Sequence, residues 1–183
     1  MSIMNNMVKE KQIITDFPFK VKVIDHDFIT LSDGTKLAVR MWLPETDAPL
    51  PAVLEYIPYR KGDGTRMRDN PMHGFISGNG YNVIRVDARG SGDSDGFMYD
   101  EYLKQEQDDA LEIIDWISKQ LWCNGSVGMM GKSWGGFNSL QVAARRPPAL
   151  KAVIAVGFTD DRYNDDIHYK GGCLLMITSG GVQ

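Results

Sequence analysis

Residues 128–137 read Gly-Met-Met-Gly-Lys-Ser-Trp-Gly-Gly-Phe. The glycines two positions before and two positions after Ser133 allow the backbone to turn sharply between a strand and a helix. Such a turn lifts the serine hydroxyl clear of the edge of a sheet, where it can act as a nucleophile. The bare Gly-x-Ser-x-Gly pattern also occurs in ordinary loops, so its interpretation depends on the segments that flank it.

These flanking segments alternate between strand and helix patterns. Short apolar runs without alternation, typical of strands buried on both faces, occupy residues 51–57, 81–88, 126–130 and 150–156. Helices are predicted over residues 103–121 and 137–145, the second closed by Pro147-Pro148, and a weaker helix over residues 71–78. The Ser133 motif therefore falls after a buried strand and at the start of a helix.

The chain begins with a predicted β-hairpin. Residues 21–31 and 36–43 are rich in β-forming side chains, and Ser32-Asp33-Gly34-Thr35 separates them. The Asp33-Gly34 pair favours a tight type I′ turn, which needs positive φ at both central residues. An antiparallel start followed by alternating strands and helices predicts an α/β fold with a mainly parallel sheet and helices on both faces.

The helix over residues 103–121 has the clearest amphipathic pattern in the sequence. Its apolar face is predicted to contain Leu103, Gln107, Ala110, Leu111, Ile114, Ile117 and Leu121. Its opposite face is predicted to carry Asp108, Asp109, Glu112 and Asp115.

Two residues are candidates for stabilising a negatively charged oxygen next to Ser133. Trp134 directly follows the serine at the start of a helix, so its backbone N–H would form one arm of an oxyanion hole. Tyr59 lies on a loop stiffened by Pro58, after the strand at residues 51–57, and its hydroxyl could form the second arm. Packing of the Tyr59 ring on the sheet edge is the alternative, and spacing does not distinguish the two.

Further stretches accompany the Ser133 motif along the chain. They are the Asp33-Gly34 hairpin, Pro58-Tyr59-Arg60-Lys61, Asp87-Ala88-Arg89-Gly90-Ser91-Gly92, and a helix end from Trp116 to Trp122-Cys123 followed by Asn124-Gly125. Together these motifs closely resemble, in type and order, the X-Pro dipeptidyl-peptidase and cocaine esterase family of serine hydrolases. The resemblance extends from about Val23 to Leu175.

This resemblance implies an α/β-hydrolase fold that is truncated after about the sixth strand. It implies that Ser133 is the acylated nucleophile, Tyr59 the side-chain oxyanion donor and Trp134 the main-chain donor. The implied reaction is hydrolysis of an ester, of an acyl-antibiotic amide or of a peptide bond after an X-Pro dipeptide. The sequence does not choose among these substrates, because selectivity in this fold depends on loops and caps.

A general base for Ser133 is not evident in the sequence. In this fold the acid and then the histidine follow the serine along the chain. His26 and His73 precede Ser133, and His168 follows only the sixth predicted strand. The resemblance implies that the acid and the histidine lie beyond Gln183, so two functions stay open: a serine hydrolase, or a catalytically incomplete fragment from a truncated gene or a split enzyme.

The domain organisation follows from the same resemblance. Residues 1–19 form an N-terminal extension, and residues 20–175 form the N-terminal portion of a hydrolase catalytic domain. Residues 176–183 read Met-Ile-Thr-Ser-Gly-Gly-Val-Gln, where the family leads one to expect Asn-Asp-Asn-Leu-Gly-Trp. Deletion of one adenine from codons for the expected residues can give the observed ones, so the tail is hypothesised to be frameshifted.

Composition restricts the partners and the compartment. The chain has 183 residues, 43% of them hydrophobic, and a net charge of −4 with interspersed signs, which argues against a nucleic-acid partner. The sequence contains neither a secretory signal pattern nor an apolar run of membrane-spanning length, so a cytoplasmic location is expected, and Cys123 and Cys173 are expected to be free thiols. The expected partners are a small ester or amide or a short peptide, and either a separately encoded C-terminal half or a second copy.

Other patterns are assigned structural roles. Gly90, Gly92 and Gly96 have the wrong last spacing for a dinucleotide-binding loop. Residues 93–96, Asp-Ser-Asp-Gly, are not followed by the glutamate that would complete a calcium loop, so neither a metal nor a cofactor is predicted. Asp87 and Arg89 are expected to form an internal ion pair that ties loops together.

Overall fold

The structure, a computed structural model, describes residues 14–166 and 168–174. The strands are β1 (Val21–Thr30), β2 (Lys36–Pro44), β3 (Leu50–Ile57), β4 (Asn82–Asp87), β5 (Cys123–Lys132), β6 (Leu150–Val156), β7 (Tyr169–Lys170) and β8 (Cys173–Leu174). The helices are α1 (Arg66–Gly78), α2 (Lys104–Ser118) and α3 (Trp134–Ala144). Most of the predicted N-terminal extension and the whole of the hypothesised frameshifted tail, residues 176–183, lie outside the described residues.

Six strands form one sheet in the order β1-β2-β4-β3-β5-β6. β1 pairs with β2 and β2 pairs with β4 in antiparallel fashion, whereas the β4–β3, β3–β5 and β5–β6 pairs are parallel. The predicted α/β architecture, with an antiparallel hairpin on a mainly parallel sheet, is confirmed. β7 and β8 form a separate two-stranded ribbon.

Apolar side chains cover both faces of this sheet. The larger cluster packs strand residues such as Leu54 and Ile84 against α2 and α3, including Ile113 of α2. The smaller cluster lies on the side of α1 and contains Trp42 and Val83. Neighbouring residues 83 and 84 point to opposite faces because side chains alternate along a strand, so the non-alternating apolar runs at β3, β4 and β5 were a correct sign of two covered faces.

The N-terminal hairpin is present, but the predicted type I′ turn is wrong. The loop is closed by two backbone hydrogen bonds of 2.9 Å: Leu31 N–H donates to Thr35 O, and Gly34 N–H donates to Leu31 O. Only Gly34, at φ 87°, has a positive φ, and Asp33 does not. The Asp33 carboxylate instead accepts the Thr35 N–H at 2.9 Å, which stabilises a three-residue loop ending in a left-handed glycine.

Helix α2 is shorter than predicted and buries a charge that was expected to face solvent. It ends at Ser118, and Leu121 beyond it is 98% exposed. Asp109 is buried, because Arg89 donates to both of its carboxylate oxygens at 2.8 Å. A paired carboxylate can occupy an apolar helix face that an unpaired one would avoid.

The boundaries of the other two helices also differ from the prediction. α1 begins at Arg66 and contains Pro71 inside it, and α3 begins at Trp134, directly after Ser133. Among the described residues, no helix combines the length and the apolar character needed to cross a bilayer.

β6 was predicted to be buried on both faces, and this is wrong for the described residues. It forms one edge of the sheet and pairs with β5, while Ile154 is 63% and Val156 52% exposed. α3 packs on β6, but none of the described elements covers the side chains of these two residues. Their exposure leaves an apolar, hydrogen-bonding edge at this end of the sheet.

The parallel strands bring four connections to one edge of the sheet. The carboxyl ends of β3, β4, β5 and β6 lead into the segments that begin at Pro58, Ala88, Ser133 and Gly157. The carboxyl edge of a parallel sheet is where open α/β folds place their ligands, so a functional site is expected at this edge.

Candidate active site

Ser133 occupies the sharp turn between β5 and α3. Its backbone has φ 58° and ψ −117°, a conformation that non-glycine residues adopt rarely and at a cost of roughly 1–3 kcal/mol. Ser133 N–H donates to Val156 O at 2.9 Å, and Ser133 O accepts the N–H groups of Gly136 and Phe137 at 2.9 and 3.0 Å. The side chain is exposed and does not cap the helix, so the hydroxyl is not used by the fold.

The two glycines of the Gly-x-Ser-x-Gly pattern allow this turn to close. A Cβ on Gly131 would lie 2.6 Å from the Cα of Gly135 and closer still to its carbonyl group. A Cβ on Gly135 would lie 2.6 Å from Cγ2 of Ile57 on β3. The first turn of α3 therefore packs directly on β5 and β3, and larger residues would push it outward.

Tyr59 and Trp134 meet beside Ser133. The Trp134 N–H points to the Tyr59 hydroxyl oxygen at 3.4 Å, which brings both predicted oxyanion donors to the N-terminus of α3. The two groups belong to the connection after β3 and to the first turn of α3, 75 residues apart in sequence. The Tyr59 hydroxyl thus reaches the serine turn, whereas the alternative of simple ring packing on the sheet edge needs no such contact.

A buried lysine fixes the segment that carries Tyr59. Lys61 N–H donates to Asp87 Oδ1 at 2.5 Å, and its ammonium group contacts Asp93 Oδ2 at 2.5 Å. Lys61 is 4% exposed. Its hydrogen bond lowers the pKa of Asp93, whereas burial raises the pKa of Asp87. The connections after β3 and β4 are therefore locked together.

Asp87 and Arg89 both tie loops together, but not by the predicted pairing with each other. Asp87 accepts backbone N–H groups from Lys61 and Asp93. Arg89 bonds to Asp109 and, at 2.9 Å, to Asp33 of the hairpin loop. These bonds, led by the one to Asp109, raise the pKa of Arg89.

Glu106 is a site-adjacent residue that the sequence interpretation missed. Its carboxylate accepts hydrogen bonds from Trp134 Nε1 at 2.8 Å, Asn138 Nδ2 at 3.0 Å and Tyr102 N–H at 3.2 Å. Burial raises its pKa, and these hydrogen bonds oppose the rise. The sequence did contain a sign that Glu106 is buried, because it lies one helical turn before Ala110 on the apolar face of α2.

Among the described residues, none of the polar contacts of the three histidines involves the Ser133 hydroxyl. His168 Nδ1 lies 3.5 Å from Glu101 Oε1 and 3.9 Å from Asp166 Oδ1. His73 is fully buried, packs at a tilt against the Trp42 ring and has Nε2 3.1 Å from Glu55 Oε2. His26 Nδ1 lies 3.8 Å from Asp93 on the surface.

The remaining sequence patterns take part in local packing. Asp93 pairs with Lys61, and Asp95 Oδ2 accepts the Lys36 N–H at 3.2 Å. A Cβ on Gly92 would collide with the Asp87 carboxylate, which explains a glycine in this loop without a nucleotide. Within residues 14–166 and 168–174, no group of three His, Cys, Asp or Glu side chains is arranged to hold a metal ion.

Comparison with known proteins identifies the family. The family model described as X-Pro dipeptidyl-peptidase (S15 family) matches residues 33–181. The cocaine esterase of a Rhodococcus species is 32% identical over 158 residues, a match covering 84% of this chain and 27% of the esterase. The chain thus spans about a quarter of the length of the curated relatives it matches.

Solved structures agree with this assignment. A CocE/NonD family hydrolase from Staphylococcus aureus superposes with a TM-score of 0.71 at 28% identity, covering 79% of this chain and 29% of that one. An α-amino acid ester hydrolase gives a TM-score of 0.68 at 27% identity, covering 95% of this chain and 31% of that one. With its α/β-hydrolase fold and the family match over most of its length, the chain belongs to the X-Pro dipeptidyl-peptidase (S15) family.

Proposed function

We propose that this chain supplies the nucleophile and the oxyanion hole of a serine hydrolase that cleaves an ester, an amide or an X-Pro peptide bond. The observation that carries the proposal is the meeting of three groups at one turn. Ser133 is exposed at φ 58°, and the N–H of Trp134 and the hydroxyl of Tyr59 are 3.4 Å apart beside it. The hydrolase family of the chain supports the same reaction class.

The reaction proceeds through an acyl-serine. Ser133 Oγ forms a bond to the substrate carbonyl carbon, and negative charge develops on the carbonyl oxygen. Trp134 N–H and the Tyr59 hydroxyl donate to this oxygen, aided by the positive end of the α3 dipole. The bond to the alcohol or amine then breaks, the serine proton passes through a general base to the leaving group, and water hydrolyses the acyl-serine.

The general base is proposed to come from outside residues 14–166 and 168–174. His168, the histidine that follows Ser133, faces Glu101 and Asp166. The matched relatives are several times longer than this chain, so they have ample sequence for a base. A second candidate is a catalytically incomplete chain that acylates slowly without turnover, and it is favoured by the contacts of His168, which are made with Glu101 and Asp166 and not with Ser133.

The substrate class rests on the relatives. One relative is named cocaine esterase and one structural neighbour α-amino acid ester hydrolase, and both names specify ester substrates. The family description specifies X-Pro dipeptides. An ester is the easier acyl donor, because its carbonyl group has less resonance stabilisation than that of an amide and an alkoxide leaves more readily than an amide anion, so esters are the first substrates to test.

A fluorophosphonate probe tests the nucleophile, because phosphonylation of a serine imitates the acylation step. Peptide mapping by mass spectrometry should place the adduct on Ser133, and Ser133→Ala should abolish it. Tyr59→Phe should slow labelling by about 10²–10³-fold, the usual effect of losing one oxyanion donor. Ser118→Ala, which removes a hydroxyl bonded to Asp115 O on α2, is the control and should label normally.

Two results separate the candidates. Turnover of a chromogenic ester that needs Ser133 supports a complete hydrolase, whereas Ser133 labelling without turnover supports a chain that only acylates. Labelling spread over the serines without preference for Ser133 would refute both.

A further inference from the structure

We propose that Glu106 is a positioning residue of the oxyanion hole, which holds α3 so that Trp134 and Tyr59 face the same oxygen. This inference rests on the proposed function of Ser133. Glu106 makes its contacts with the Trp134 indole and its neighbours, so it acts on the substrate oxygen only through other groups.

Glu106 accepts hydrogen bonds from two side chains on one face of α3. Its Oε1 accepts from Trp134 Nε1 at 2.8 Å and from Asn138 Nδ2 at 3.0 Å. Residues 134 and 138 are four positions apart and therefore lie on the same side of the helix. Two bonds to successive turns fix the rotation of α3 about its axis, and this rotation sets the direction of the Trp134 N–H.

The same network reaches the strand that leads to Tyr59. Asn138 Nδ2 also donates to Tyr56 O at 2.7 Å, and Asn138 is 1% exposed. Tyr56 lies near the end of β3, three residues before Tyr59. Glu106 and Asn138 therefore join α2, α3 and β3, the elements that carry or adjoin both oxyanion donors, and hold the two donors at a fixed spacing.

Glu106 also anchors an aromatic cover over the indole. Its Oε2 accepts the N–H of Tyr102 at 3.2 Å, and the Tyr102 ring lies 4.9 Å from the Trp134 ring. Tyr102 has φ 59°, a strained conformation that a backbone hydrogen bond helps to hold. The ring of Trp134 is thus held at its polar edge by the carboxylate and is packed against the Tyr102 ring at an interplanar angle of 52°.

The contacts require an acceptor-only side chain. Three N–H groups point at the carboxylate, and an ionised carboxylate offers two acceptor oxygens and no donor. A glutamine would turn an NH₂ group toward at least one of these donors. If the position needed only a side chain of this volume, glutamine would serve as well as glutamate, and this difference makes the proposal testable.

The first test is structural and does not depend on activity. In protein labelled at the indole nitrogens, the four tryptophans give four Nε1–H signals, and Trp134→Phe assigns one of them. Glu106→Gln and Glu106→Ala should move the Trp134 signal while those of Trp116 and Trp122 stay in place. The wild-type signal should titrate with the carboxylate as pH is lowered, and in Glu106→Gln it should not.

The second test measures the rate at which fluorophosphonate labels Ser133. Glu106→Gln should slow labelling by about 10- to 100-fold, less than outright loss of a donor. The control is Glu112→Gln on the same helix, where the carboxylate accepts from Ser32 N–H and Oγ at 2.7 and 2.8 Å. This control perturbs α2 away from α3 and should label at the wild-type rate.

An unchanged Trp134 indole signal in Glu106→Ala would overturn the proposal, and so would wild-type labelling of folded Glu106→Gln. Equal slowing in Glu106→Gln and Glu112→Gln would assign the effect to general loosening of α2 and would also overturn it. If the wild-type chain is not labelled at Ser133, the proposed function fails, and the indole signals alone then decide whether Glu106 positions Trp134.

Discussion

Gly131→Ala should disturb the turn at Ser133 by placing a methyl group between β5 and the first turn of α3. Gly131 lies on β5, two residues before the serine, and its Cα faces the backbone of the first turn of α3. The added methyl group would touch backbone atoms of Gly135, which cannot rotate away as a flexible side chain can. The helix start, and with it the Trp134 N–H, must therefore move.

The size of the effect follows from the contact distances. The new Cβ would lie 2.6 Å from Gly135 Cα, about 0.8 Å short of the 3.4 Å at which ordinary contact begins, and nearer still to the carbonyl group. Overpacking of this kind costs about 1–3 kcal/mol of unfolding free energy. For a chain of this length, that corresponds to a fall in Tm of roughly 2–12 °C.

The matched control is Gly128→Ala, three residues earlier on the same strand. There the new Cβ would lie 3.6 Å from Ala152 O, an ordinary contact. Urea denaturation and fluorophosphonate labelling of both variants should show a less stable, slowly labelled Gly131→Ala and a nearly normal Gly128→Ala. Equal stability and equal labelling in the two variants would refute the steric account of the turn.

Three further predictions concern stability and association. Arg89→Ala should lower the unfolding free energy by about 3–5 kcal/mol in denaturant titrations, because it leaves the buried Asp109 carboxylate unpaired; adding Asp109→Asn should recover part of the loss, and no recovery would contradict the pairing argument. Burial raises the pKa of Glu106 above its ordinary 4.5, so the stability linked to its protonated form is complete below that value and is lost as pH rises through the folded-state pKa; the ionised form, which accepts the three N–H groups, is held at a cost in stability. The unfolding free energy of wild type should therefore fall relative to that of Glu106→Gln as pH rises, and a constant difference would argue against the raised pKa. The exposed apolar edge at β6 should make the chain self-associate in size-exclusion chromatography, and Ile154→Lys should shift it toward monomer; a wild-type chain that stays monomeric at all concentrations would count against this.

Local sequence signals predicted the elements that depend on short-range chemistry. The Gly-x-Ser-x-Gly pattern predicted a strand–turn–helix because its close approach is made by residues within five positions of one another. The apolar runs predicted β3, β4 and β5 because both faces of these strands are covered, by α1 on one side and by α2 and α3 on the other. Family resemblance added Tyr59, whose meeting with Trp134 spans 75 residues.

The features that were missed depend on partners distant in sequence. Asp109 can be buried because the guanidinium group of Arg89, 20 residues earlier, donates a hydrogen bond to each of its carboxylate oxygens. Glu106 meets Trp134 across 28 residues, through a tertiary contact between α2 and α3. The Asp33-Gly34 turn closes differently because the Asp33 carboxylate competes for the Thr35 N–H. Hydrophobic periodicity describes only the spacing of apolar residues, so it cannot predict these side-chain hydrogen bonds.

The most direct test of the central claim is a crystal structure of the chain after treatment with a fluorophosphonate. The account predicts a phosphorus bonded to Ser133 Oγ, with one phosphonyl oxygen about 2.7–3.1 Å from both Trp134 N and the Tyr59 hydroxyl. An adduct on another residue, no adduct at Ser133, or a phosphonyl oxygen that meets neither donor would contradict it.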